Sequence, residues 1–150
     1  MPLDIGYSHV CIYRKLNFLN LDIYVLKPFL LLGLNEGKFL NLRSLLSNQL
    51  NLYFSPKQIS LKLIEVVDQD TSAILLSYFV KSEIEKRVPF RRVIKSALLR
   101  AQSKKILGVR IQVSGRLDGA EIARTEWISS GKMPLHTMKA CIDYSDCTAR

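Results

Sequence analysis

A chain of 150 residues with 48% hydrophobic content can bury the core of one ordinary domain or two small ones, which excludes a disordered polymer. Its net charge is +9, and eleven basic residues between Phe79 and Arg116 stand against only Glu83 and Glu85, so this one segment carries the whole excess. A confined basic stripe on an otherwise neutral chain is the footprint expected for a polyanion, either nucleic acid or an anionic membrane face.

Ile23 and Val25 alternate toward Lys27 and Pro28, so residues 21–33 are predicted as a strand and its approach to a loop. Leu40, Leu42, Leu45 and Leu46 predict a helix over 37–50, with Arg43 on its polar side. Ile59, Leu61 and Leu63 alternate with Ser60 and Lys62 in the manner of a half-buried strand. Asp68 and Asp70 then set up a helix over 71–87 that buries Ile74, Leu75, Tyr78 and Ile84.

Val88 and Pro89 interrupt that helix and open another, because proline suits a first turn while the residue before it avoids helical geometry. From Pro89 to Gln102 the apolar positions Val93, Ile94, Ala97 and Ala101 share one side. Arg91, Arg92 and Lys95 fall within an arc of roughly 100° on the other. Val109, Ile111 and Val113 alternate as a strand.

The run V-S-G-R-L-D-G-A-E-I-A-R-T-E-W, Val113 to Trp127, continues that strand into a basic turn bracketed by Gly115 and Gly119. Asp118, three residues before Glu121, predicts a capped helix. Its apolar side would be Ala120, Ala123 and Trp127, which places the indole in the core. Met138, Ala140, Ile142 and Tyr144 then alternate as a last strand. The pattern is α+β, in two small units meeting near residues 103–106.

No apolar stretch is long enough to cross a bilayer: residues 16–34 are broken by Asn17, Asn20, Asp22, Lys27 and Pro28, short of the roughly 20 residues a span requires. No membrane insertion is expected. Cys11, Cys141 and Cys147 are an odd, scattered set, read as reduced thiols in a reducing compartment. A zinc site from Cys141, Cys147 and His136 is conceivable, but C-x5-C fits no common zinc spacing, so neither metal nor cofactor is expected. Glu121, Glu126, His136 and Asp143 lack a nucleophile, metal set or phosphate loop beside them, which argues against an enzyme.

The run from Val113 to Trp127, with G-K-M-P-L-H-T-M-K-A-C-I-D-Y from Gly131 to Tyr144, closely resembles the carboxyl-terminal domain of the universal small-subunit ribosomal protein three. Bacterial-type members of that family read V-S-G-R-L-G-G-A-E-I-A-R-T-E-W, then V-P-L-H-T-L-R-A-D-I-D-Y. The resemblance implies a structural constituent of the head of a small ribosomal subunit, with rRNA, mRNA and neighbouring head proteins as partners. Similarly, E-K-R-V-P-F-R-R-V-I-K, Glu85 to Lys95, resembles a family helix at the entrance to the mRNA channel. It implies that Arg91, Arg92 and Lys95 contact message. Arg87, Arg100, Lys104, Lys105, Arg110, Arg116, Arg124, Lys132 and His136 are by the same resemblance expected to contact rRNA or neighbouring proteins.

In that family the preceding unit is a type II KH domain, whose G-x-x-G loop clamps a single-stranded RNA backbone. Here the similar stretch is L-K-P-F-L-L-L-G-L-N-E-G, Leu26 to Gly37, followed by Leu42 and Arg43. Gly33 takes the place of the first clamp glycine, Leu34 and Asn35 replace two lysines, and Glu36 stands where the second glycine belongs, with Gly37 one residue late. A carboxylate facing phosphates implies a retained KH-like fold, residues 23–104, with a degenerate clamp. A stand-alone KH-type regulatory module is the alternative function.

Residues 1–22 depart from the family's amino-terminal signature. Residues 105–150 resemble its carboxyl-terminal domain without the glycine- and valine-rich last strand. The expectation is an incomplete or split form, completed by a separate polypeptide or by neighbouring proteins that cover the open sheet edge. The abundance of Leu, Ile, Asn, Phe and Tyr suits an AT-rich coding genome, and the start lacks a transit-peptide composition. The expected location is the mitochondrial ribosome, with the plastid as alternative.

Overall fold

The computed structural model describes residues 6–16, 18–32, 37–50, 59–102 and 106–150. The chain divides into two units, residues 1–67 and 68–150. Both mix strands and helices, in agreement with the α+β expectation.

The first unit holds strands β1 (Tyr7–Arg14), β2 (Leu19–Val25) and β3 (Ile59–Glu65) in the order β1-β2-β3, with helices α1 (Pro28–Leu32) and α2 (Gly37–Leu50) between the last two. β1 runs antiparallel to β2, whereas β3 is parallel to β2, with Leu19 opposite Ile59 and Leu21 opposite Leu61. A parallel pair needs a crossover, and the two helices provide it. Every second residue of β2 faces the core, where Leu19, Leu21 and Ile59 pack with Leu46, Leu50 and Leu61. α2 is amphipathic in a narrower sense than expected, since Leu40 and Leu45 remain exposed.

Strand β1 escapes the sequence pattern because its register slips between Tyr7 and Val10. A one-residue irregularity reverses which alternate side chains face inward, so the period of two is broken. α1 begins on Pro28, where a missing N–H costs nothing.

In the second unit a 3-10 turn (Gln69–Thr71) precedes α3 (Ala73–Glu85) and α4 (Phe90–Gln102), followed by strands β4 (Gly108–Gly115) and β5 (Arg124–Gly131) in an antiparallel hairpin. α3 ends as proline spacing predicts. Arg87 adopts φ 60 and donates to Ile84 O, while the Val88 N–H reaches Glu83 O, a Schellman-type stop with arginine in the usual glycine position. α4 buries Phe90, Val93, Ile94, Ala97 and Ala101. Phe90, Ile94 and Leu117 form the core, and Ile111, Val113 and Ile128 of the hairpin pack against it.

Because α4 packs on β4 and β5, both helices group with the hairpin, and the division of the chain falls earlier than the expected meeting point near 103–106. The start of α3 also differs from the Asp68 and Asp70 expectation. Helix begins at Ala73, and Ser72 makes no side-chain capping bond. The Ala73 N–H instead donates to Asp143 Oδ2 at 2.7 Å, and Ser77 Oγ lies 3.0 Å from Ser145 Oγ. A carboxylate supplied from far along the chain thus caps α3. Replacing Asp143 with alanine should cost about 1 kcal/mol, typical of a lost cap, and speed amide exchange at Ala73. Unchanged exchange there would show that the contact contributes nothing.

Two further expectations are corrected. The capped helix through residues 118–127 is absent; Leu117–Gly119 is a 3-10 turn and the chain re-enters a strand at Arg124. Asp118 at φ 55 and Gly119 at φ 76 are left-handed, which a helix cannot continue through. Consequently Trp127 lies on a strand and is 56% exposed, not in the core. The last strand predicted over 137–144 is also absent, since residues 132–150 form turns and irregular structure, with Met138 and Tyr144 exposed. Alternation alone does not make a strand, because its hydrogen bonds must be taken up by a neighbouring edge, and residues 132–150 join neither β4 nor β5 in the sheet.

Candidate nucleic-acid interface

Helix α4 positions its charged residues by the same periodicity that builds its core. Val93, Ile94 and Ala97 anchor one side, at 1% exposure or less, so Arg91, Arg92 and Lys95 must project from the other. The first turn carries no acidic residue. Its unpaired N–H groups therefore add partial positive charge to that of the side chains.

The hairpin adds to this face. Glu126 on β5 lies between two guanidinium groups, with Oε1 2.9 Å from Arg124 Nε and Oε2 3.6 Å from Arg91 Nε. Both guanidinium carbons sit 5.7 Å from the centroid of the Phe90 ring. One carboxylate and one aromatic ring thus tie β5 to the first turn of α4. Arg91 remains 73% exposed at its side chain, so the pair is solvent-screened and weak. Arg92 and Lys95 are exposed and make no ion pair among the described residues. The cluster offers two to four cations to an anionic strand, with a planar fork on three of them.

The other basic positions separate into distinct environments. Arg100 lies 3.8 Å over the Phe79 ring and links α4 to α3. Arg116 donates from Nε to Ala120 O at 2.8 Å and closes the turn before β5. Arg110 stacks on Trp127 on the opposite side of the hairpin from α4. Arg87 ends α3; Lys132 follows β5, its N–H bonded to Leu107 O at 3.0 Å. His136 is exposed in the irregular segment. Lys104, Lys105 and the loop residues Gly33, Leu34, Asn35 and Glu36 lie outside the described residues, and Gly37 opens α2.

Sequence reasoning found α4 but missed Glu126 as its neighbour. The contact depends on the hairpin register, which puts Glu126 opposite Val113 and toward α4. Among the described residues no three His, Cys, Asp or Glu side chains gather as a metal site, and the three cysteines are free thiols. No helix among the described residues is long and apolar enough to cross a membrane.

Residues 80–150 match the family described as ribosomal protein S3, C-terminal domain. Over 145 residues the chain is 42% identical to the small ribosomal subunit protein uS3 of Nostoc punctiforme, which covers 97% of this chain and 55% of that protein. The uS3 protein of Picosynechococcus sp. is 42% identical over 97% of this chain and 59% of its own length. That of Synechocystis sp. is 42% identical over 96% of this chain and 59% of its own. The chain spans little more than half the length of these curated relatives.

Proposed function

Because the chain belongs to the bacterial-type family of small ribosomal subunit protein uS3, we propose that it is a structural, non-catalytic constituent of an organellar small ribosomal subunit. It binds rRNA in the subunit head and holds passing mRNA on α4. The observation that carries this reading is the cationic face of Arg91, Arg92 and Lys95, extended by Arg124 across the shared Glu126 carboxylate.

A strand that must move through a channel cannot be gripped by its base edges. Contact through phosphates, made by exposed charges with no hydrogen-bond code, permits sequence-independent sliding. The long side chains follow the backbone, and a phosphate oxygen replaces the screened Glu126 carboxylate at little cost. The remaining basic residues, Arg87, Arg100, Lys104, Lys105, Arg110, Arg116, Lys132 and His136, are assigned to rRNA and neighbouring head proteins.

The strand-strand-helix-helix-strand order of the first unit, with its parallel β2–β3 pair, supports a KH-like domain there. The location proposed is the mitochondrial ribosome, with the plastid as second reading; cyanobacterial relatives do not separate the two. Sedimentation tests the assignment directly. The chain is expected to co-migrate with the small subunit through a high-salt gradient, whereas a free pool that binds short single strands would replace this reading with a stand-alone RNA-binding module.

A further inference from the structure

The β4–β5 hairpin has a second face that α4 does not touch. Its register turns Ile111, Val113 and Ile128 toward the core and leaves Arg110, Gln112, Ser114, Thr125, Trp127 and Ser129 on the other side. None of these six is acidic. At 56% exposure the Trp127 ring forgoes much of the burial that a large aromatic normally gains. It is nonetheless held in place: the Arg110 guanidinium lies 4.7 Å from the ring centroid, and Arg110 Nη2 donates to Gln112 Oε1 at 3.5 Å. Ser114, Thr125 and Ser129 are too short to screen the indole from the sides.

We propose that this face is a stacking site for one unpaired nucleotide of single-stranded RNA, with the base on Trp127 and the adjoining phosphate beside Arg110. An aromatic on an open sheet surface, a cation next to it and small hydroxyls around it are the parts such a site requires. The centre of a protein–protein interface is more apolar than this and poor in serine, whereas the neighbours of this tryptophan are serine, threonine, glutamine and arginine. Charge complementarity points the same way, because the face offers a cation and no carboxylate to repel a phosphate. This site lies apart from α4, and it stands or falls independently of the mRNA role proposed for that helix.

Trp127 is the sole tryptophan of the chain, so its fluorescence reports this face alone. Titration of the full chain with a single-stranded RNA octanucleotide is expected to quench that emission. With labelled RNA followed by anisotropy, Trp127→Ala should weaken binding about 5- to 150-fold, the range for losing one stacked base, without altering the salt dependence. Trp127→Phe should recover part of the affinity. In a chain with Arg91, Arg92 and Lys95 changed to alanine, the salt dependence should flatten while saturating RNA still quenches Trp127, which separates the two sites. RNA that binds with the emission unchanged, or a Trp127→Ala chain with full affinity, would overturn the proposal. So would acrylamide access to Trp127 that is blocked by a small-subunit protein and left open by RNA.

Discussion

Changing Arg91, Arg92 and Lys95 together to alanine is expected to weaken binding to single-stranded RNA roughly 10- to 100-fold at low salt, with little dependence on base sequence. The slope of log affinity against log salt should fall by roughly 2, because each single-strand phosphate contact contributes about 0.7 through counterion release. The fold should survive. All three side chains project from α4 into solvent, while Phe90, Val93, Ile94 and Ala97 hold the helix from the other side. Alanine is also the better helix former, so helicity is not the reason for any loss. Lysine in place of both arginines should keep the slope, since it keeps the charge, and should lose part of the affinity, since it loses the planar fork. A slope unchanged by the triple replacement would remove α4 from the interface altogether.

What the sequence revealed of this face, and what it hid, follows from the range of the interactions involved. α4 was legible because its core residues recur with helical period and its cations fill the remaining arc, all within thirteen residues. β3 and β4 were legible from alternation, and the stop at Arg87 from the proline two residues later. The hairpin was not. Asp118 and Glu121 mimic a capping box, and A-E-I-A-R has good helix propensity, yet the left-handed backbone at Asp118 and Gly119 turns the chain back along β4. Local preference lost to pairing of Ile111 with Ile128 over the Phe90 core. With that one misreading went three site features at once. Trp127 moved from core to surface, Glu126 became the bridge between two arginines, and Arg124 joined α4. The Asp143 cap on α3 was equally hidden, because nothing in a local window pairs residues so far apart.

The largest stability effect is expected at the open end of the hairpin, where the first residue of β4 meets the last of β5. Gly108 and Gly131 face each other in the register, and the Lys132 N–H bonds to Leu107 O at 3.0 Å beside them. A Cβ on Gly131 would lie 2.3 Å from Leu107 O, and Gly131 also has φ +77, so alanine there meets both a collision and an unfavourable backbone. The obstacles are main-chain atoms, so no side chain can rotate aside. Together the two effects should cost about 3 kcal/mol, a large part of a typical stability of roughly 5–15 kcal/mol. Two companion variants divide the cost. A Cβ on Gly108 would meet Lys132 O at 2.2 Å, so Gly108→Ala tests the collision; Gly119 has φ +76 with nothing within 4 Å, so Gly119→Ala tests the backbone alone. In urea unfolding Gly119→Ala should cost about 1 kcal/mol and Gly108→Ala more, with Gly131→Ala the most costly. Arg124 pairs with Gly115 at the other end of the hairpin, so the strands open here far from the Arg124 and Glu126 side chains that meet Arg91. RNA affinity of the folded Gly131→Ala chain should therefore stay near normal while its stability falls; equal unfolding costs for Gly131→Ala and Gly119→Ala would show that backbone conformation, not the close approach of the strands, limits this hairpin.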